Sequence, residues 1–391
     1  MPWKVTHVMD ERLRFIGEYL DGTWSMAALC RAYGISRKTG YKLVRCYEAE
    51  GIVGLRERSR APHHHPHAVS AEMQAELVAV RKAHRKWGPR KVRAWLRRRD
   101  PTRRLPAAST VGALFRREGL VRARRRGHRP RAVPSEQPFA PCDVPNAVWS
   151  ADYKGWFRTA DGCRCEPLTI ADVCSRCLLC CQALGGTTYA EAQPVFVEVF
   201  QEYGLPQAMR TDNGPPFASH GIGGLTRLAV WWIRLGIVPQ RIQPGRPAQN
   251  GRHERMHRTL AEEACRPPRA NRRTQQRAFE RFRREYNEER PHEALGDRTP
   301  SELYQPASRV YPATLPELAY PAHYEVRQVK CNGRIKWHGA WYYLNEALHR
   351  QPIGLERVAE DQWELHFGPV SLGVLDGYRE KVLRHRVLVL Q

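Results

Sequence analysis

Apolar positions recur at helical spacing through the N-terminal region and alternate at strand spacing further on. Met9, Leu13, Ile16 and Leu20 lie three or four residues apart, which predicts an amphipathic helix ending near Asp21-Gly22. Ser25 caps a second helix bearing Met26, Leu29 and Cys30, and Gly34 breaks it. Ser36 then starts a third with Arg37, Lys38, Lys42 and Arg45 along its polar side. Helix, helix, glycine turn and basic helix fit a helix-turn-helix whose third helix enters a major groove, and a plain three-helix bundle has the same apolar pattern. Residues 58–69 hold Pro62, Pro66 and four histidines without apolar periodicity, a polar tether rather than a metal site.

A second helical unit follows over residues 70–131. Ser70 caps a helix with Met73, Leu77 and Val80; Gly88-Pro89 opens another with Val92, Trp95 and Leu96; Ser109 caps a third that Gly119 ends. Residues 132–145 form a proline-broken connector. From Ala147 the texture becomes β, with AVWSADYKGWF, CEPLTIADV and CLLCCQAL reading as a meander. A helix over 188–203, a strand in PQAMRTD, a helix in LTRLAVWWIRLG and a strand in IVPQRIQ predict a mixed sheet covered by helices, completed by helices at 251–265 and 273–287. Beyond Pro306, five strand candidates at 324–329, 333–338, 340–344, 354–358 and 363–367 predict a small β-barrel of the SH3-like kind over 306–391. The first domain is thus 1–57 and the central one 146–305.

Charge gives these helices a partner. The 391 residues carry 64 Lys+Arg against 40 Asp+Glu, a net charge of +24. Eighteen of those charges lie between Arg81 and Arg131, where 20 basic residues meet only Asp100 and Glu118. Such an excess implies a polyanion, with nucleic acid foremost. Arg90, Lys91, Arg124, Arg125 and Arg126 are the candidate contacts there, beside Arg37, Lys38 and Lys42 of the first unit. No apolar run of 18 residues and no signal-like start occur, so the expected place is the cytoplasm, at the nucleoid. Cys163, Cys165, Cys174, Cys177, Cys180 and Cys181 contain one Cys-x-x-Cys without a second pair, which favours buried thiols over zinc.

The acids are few enough to follow one by one. Asp152 lies in the first strand of the mixed domain, and Asp212 ends a later one in RTDNGPPF, where strand ends of α/β sheets place ligands. Forty-one residues without a single Asp or Glu then separate Asp212 from Glu254. Three carboxylates amid basic groups suit two Mg²⁺ ions, or Mn²⁺, acting on a phosphodiester; isolated salt-bridge partners are the plainer explanation.

The segments WSADYKGWF, RTDNGPPF, PGRPAQNGRHERMHRTLAEEA and YNEERPHEALGDRTPSELY resemble the catalytic core of DDE-type transposases of bacterial insertion sequences, relatives of retroviral integrases with a ribonuclease-H-like fold. WSMAALCRAYGISRKTGYKLV and WGPRKVRAWL resemble the helix-turn-helix segments that precede that core. The resemblance implies Asp152, Asp212 and Glu254 as the catalytic and metal-binding acids, with Asn250, Gly251, His257 and Arg258 positioning a DNA end. It further implies binding to the terminal inverted repeats of an element, 3′-end cleavage, strand transfer into target DNA, and at least a dimer. The spacer before Glu254 is longer than is usual in the family, and no His-His-Cys-Cys module of the retroviral kind is found. A non-catalytic DNA-binding protein, such as a repressor, and a nuclease on the same fold are the competing readings.

Overall fold

The computed structural model describes residues 7–57, 68–121, 139, 142–219, 221–243, 247–377 and 381–390. The chain divides into two units, Met1–Ser70 and Ala71–Gln391. In the first, α1 (Val8–Leu20), α2 (Met26–Ala32) and α3 (Arg37–Glu50) enclose Phe15, Ile16, Leu29, Cys30 and Val44. Ser25 and Ser36 cap α2 and α3, accepting the backbone N–H of Ala28 and Thr39. Gly40 lets α3 pass close to α2, since a Cβ there would lie 2.5 Å from Cys30 Sγ.

The second unit opens with α4 (Ala71–Ala83), α5 (Pro89–Arg99) and α6 (Ala108–Arg117), packed around Leu77, Trp87, Val92 and Phe115. Ala107 rather than Ser109 precedes α6, and no side chain caps it. Part of the positive charge of these helices is used internally. Lys86 pairs with Glu262, Arg90 with Glu293 and Arg98 with Glu302, and His84 Nδ1 lies 2.9 Å from Glu285.

The central sheet contains β1 (Val148–Tyr153), β2 (Phe157–Arg158), β3 (Arg164–Asp172), β4 (Leu178–Leu184), β5 (Ala208–Thr211) and β6 (Val238–Arg241). Its order is β4-β3-β1-β5-β6, with β2 added at the start of β3; β1 runs antiparallel to β3 and parallel to β5. Helices cover both faces because the strands are apolar on both. Between β4 and β5 lies α7 (Tyr189–Tyr203), capped by Thr188, and between β5 and β6 lies α8 (Arg227–Arg234). These two bury Trp149, Ala151, Leu168 and Ile170 with Phe196, Phe200 and Trp232. On the opposite face, α9 (Gly251–Leu260) and α10 (Arg272–Arg284) bury Ala171, Leu178 and Cys181 with Met256, Leu260 and Phe279. The cysteines divide the same way, Cys177 and Cys180 facing α7 while Cys165 and Cys181 face α9 and α10.

The C-terminal region departs from the expected closed barrel. Strands β7 (Glu325–Gln328), β8 (Arg334–Trp337), β9 (Ala340–Tyr343), β10 (Pro352–Ala359) and β11 (Gln362–Phe367) form where alternation predicts them, followed by β12 (Val370–Asp376) and β13 (Lys381–Leu390). Hydrogen bonding gives an open antiparallel sheet, β13-β12-β11-β10-β7, and a separate β8-β9 hairpin. A face of α8 supplies Ala229, Val230 and Ile233 to the core of this region, so a helix helps to cover its apolar side chains.

Candidate active site

Strand alternation assembles the first part of the site. In β1, Trp149 and Ala151 point toward α7 and α8, which leaves Ser150 and Asp152 on the α9 side. The parallel register pairs Ser150 with Arg210 and Ala151 with Thr211, so Asp212 follows β5 beside Asp152 on the same face. Asn213-Gly214-Pro215-Pro216 then ends the strand, and Asn213 Nδ2 donates to the Ile242 carbonyl at 2.8 Å, tying the turn to the end of β6. Glu254 projects into solvent from the first turn of α9, where a helix N-terminus favours a negative charge.

Two carboxylates act on Asp152. The Asp152 carboxyl is pushed from 3.8 up to about 7, first by burial and then by the charge of Asp212, with Glu254 adding to it. Burial also raises Asp212, whose Oδ1 is enclosed and makes no hydrogen bond. Hard oxygen donors gathered in this way fit a divalent cation, with Lys154 the cation that opposes the shift of Asp152. Asp152, Asp212 and Glu254 are the residues that would hold it.

A buried polar cluster lies beneath Asp152. Thr169 Oγ1 is 2.9 Å from the Asp152 carbonyl oxygen and 2.7 Å from Nε2 of both His253 and His257. The hydroxyl has one hydrogen, which must go to the carbonyl, so both imidazoles donate through Nε2–H. Burial drives both below the usual histidine range, His253 to about 3 and His257 to about 2, so both rings are neutral and each Nδ1 keeps its lone pair. Nδ1 of His253 accepts from Ser150 Oγ at 2.7 Å. Nδ1 of His257 faces Asp152 Oδ2 at 3.8 Å, two electron-rich atoms with space for a cation or a proton between them. Asn250 Nδ2 donates to the same Asp152 oxygen at 3.3 Å.

Other expected contacts are placed differently. Asn250 and His257, expected to position DNA, are buried against Asp152, because the apolar stripe of Met256 and Leu260 turns that face of α9 to the sheet. Gly251 is the first residue of α9, and Arg258 is exposed one turn beyond Glu254. Arg37, Lys38 and Lys42 are exposed on α3. Arg90, expected on DNA, is engaged with Glu293, and Lys91 turns inward toward Arg290 and Glu263. Arg124, Arg125 and Arg126 lie outside the described residues. Ser150, Thr169 and His253 were not anticipated. The i, i+4 spacing of His253 and His257 on the apolar stripe is the signal that marks them.

Known protein families match several segments of the chain. Integrase core domain families match residues 143–247 and 235–300, a helix-turn-helix domain matches 11–63 and a homeodomain-like domain matches 39–115. An insertion element IS407 protein of Burkholderia multivorans is 28% identical over 256 residues, covering 64% of this chain and 87% of its own length. An insertion element IS476 protein of Xanthomonas euvesicatoria is 28% identical over 240 residues, 61% of this chain and 66%, just under two thirds, of that protein. Among solved structures, the intasome of simian T-cell lymphotropic virus with a PP2A regulatory subunit aligns at 16% identity and a TM-score of 0.37, covering 74% of this chain and 91% of that one. The HTLV-2 integrase catalytic core with magnesium aligns at 16% identity and 0.33, covering 41% and 98%. The chain thus carries integrase core domains behind helix-turn-helix domains and is similar to insertion-element proteins, as the resemblance to insertion-sequence transposases implies.

Proposed function

We propose that the protein binds the terminal inverted repeats of its element and, with Mg²⁺, cuts the 3′ ends and joins them to target DNA. The observation that carries this reading is the parallel register of β1 and β5, which sets Asp212 beside Asp152, with a buried Asp212 oxygen left without a partner and Glu254 in the first turn of α9. Asp152, Asp212 and Glu254 would hold two divalent ions, and His257 Nδ1 offers a further donor beside Asp152. Divalent cations, when bound, supply the Lewis acidity that activates an attacking oxygen and stabilises a leaving one.

The chain's own part is to hold and orient. Ser150 and Thr169 fix His253, and Thr169 with Asn250 holds His257 and the Asp152 carboxylate in place, as outer partners do in metal sites. Arg258, exposed one turn from Glu254, would meet a DNA phosphate. Arg37, Lys38 and Lys42 on α3 would read or track the repeat. Cutting and joining both ends together calls for at least two copies of the chain.

The test incubates the full chain with a duplex bearing an element end, with and without Mg²⁺. The wild type is expected to nick the 3′ end and join it, while Asp152→Asn and Glu254→Gln bind the duplex and leave it intact. Undiminished cutting by either variant, or binding by the wild type that never produces a nick, would overturn the proposal; the second result is what a non-catalytic DNA-binding protein gives.

A further inference from the structure

A cavity of about 490 Å³ lies alongside the first turn of α9, and Asp152, Asp212 and Glu254 do not line it. Its walls carry six cations, Lys91, Arg176, Arg210, Arg252, Arg255 and Arg290, against two acids, Asp143 and Asp172. Of the six, Arg290 alone makes a close ion pair among the described residues, with Glu263, while Glu263, Glu293 and Asp297 act on Lys91 from further off. Asp172 is already saturated by the N–H and Oγ of Ser175 and the N–H of Asn146. Neither Asp143 nor Asp172 makes an ion pair with these guanidinium groups among the described residues, and six cations against two acids leave a positive excess on the walls.

Arg210 is the most telling of these. It is only 4% exposed, and its Nε is enclosed without a hydrogen-bond partner. Its Nη2 reaches Gln240 Oε1 at 3.2 Å, and Phe139 lies under the guanidinium at 4.2 Å, but no acid answers the charge. A buried, unpaired cation is costly, and a crowd of them more so. Burial is the first cause that depresses the group: it lowers Arg210, with Cys142 opposing and Arg252 adding; it lowers Arg176, with Arg252 and Arg255 adding; and it brings Lys91 to about 8, with Arg290 adding and Glu263, Glu293 and Asp297 opposing. Asn250, Gly251 and Arg252 add the positive end of the ten-residue α9 to the same wall.

We infer that this cavity is a binding site for a phosphate-bearing anion. A single carboxylate leaves most of the excess charge standing, whereas the several oxygens of a phosphate or pyrophosphate accept from guanidinium forks, an ammonium and a helix N-terminus together. The phosphate comes either from a DNA backbone or from a free anion. The inference does not depend on metal-assisted cleavage: loss of nicking would leave it standing, and loss of anion binding would leave the cleavage reading standing.

The probe is pyrophosphate, titrated calorimetrically into the full chain in EDTA. We expect saturable binding that raises the melting temperature, weakened about tenfold or more in Arg176→Gln/Arg255→Gln and kept in Asp212→Asn. Arg255→Gln alone, at an exposed position, serves if the double variant fails to fold. Absence of binding, binding undiminished by these changes, or equal displacement by a glutamate-rich peptide would overturn the inference. Pre-bound duplex separates the sources. A backbone phosphate as occupant means that DNA blocks pyrophosphate and that the variant's salt slope falls by about 0.9 for each phosphate it no longer neutralises. A free anion binds alongside DNA with the slope unchanged.

Discussion

Asp152 shows how much of the site is set by one buried carboxyl. Its folded value of about 7 lies above its ordinary 3.8, so between those pH values the folded chain holds a proton that the unfolded chain releases. Stability from this group is therefore full below pH 3.8 and is lost as pH rises toward 7, by roughly 4 kcal/mol in all. Asp152→Asn removes the dependence. In EDTA, urea unfolding should show the variant gaining on the wild type across this window, and a constant difference would contradict the shift. Mg²⁺ should raise the wild-type melting temperature and leave that of Asp152→Asn nearly unmoved, since an ion stabilises only the state that binds it. The shared face of Asp152 and Asp212 came from the pairing of β1 with β5; that Asp152 lies in a strand and Asp212 at the end of a later one was legible in the sequence. The roles of Ser150, Thr169 and His253 were not, because they depend on β1 lying against β3 and under α9.

At the scale of elements, the helices were the most readable part. Ser25, Ser36 and Thr188 announce three helix starts, and each accepts the backbone N–H that its position requires. Gly40 marks where two of these helices meet. Gly40→Val places methyl groups where Cys30, Met26 and Phe15 already pack, and is expected to cost about 1–3 kcal/mol by overpacking. A lowered melting transition of the N-terminal unit, with Mg²⁺ binding by the core retained, is the expected readout. Within the core, Phe200→Ala should be more severe, about 3–5 kcal/mol, because Phe200 is fully buried among Trp149, Phe196 and Trp231. The C-terminal strands were individually legible, but their closure was not, since alternation tells which face is buried and not which edges pair.

For the whole molecule, net charge predicts a polyanion partner but not which charges meet it. Several cations of α5 and the turn before it are occupied by Glu262, Glu293 and Glu302, so deleting the basic segment would break the core as well as remove DNA-facing charge. Point substitutions separate the two effects. Arg37→Gln/Lys38→Gln/Lys42→Gln should flatten the dependence of log affinity on log salt by about 2–3 if all three meet phosphates. Arg98→Gln, which removes a pair with Glu302, should leave that slope unchanged. An equal flattening in both would mean that the ion pairs open on DNA.

Local pattern was enough to determine where helices and strands form, which strand positions share a face, and that three scarce acids sit amid basic residues. Those properties follow from backbone geometry and side-chain chemistry within a few residues. Tertiary structure decided the rest: that β5 lies beside β1 in parallel, that α9 turns His253 and His257 inward, and that Lys91 faces a cavity with five arginines instead of solvent. Each of these joins residues tens to hundreds of positions apart, and sheet register and helix packing create that proximity where periodicity along the chain carries no trace of it.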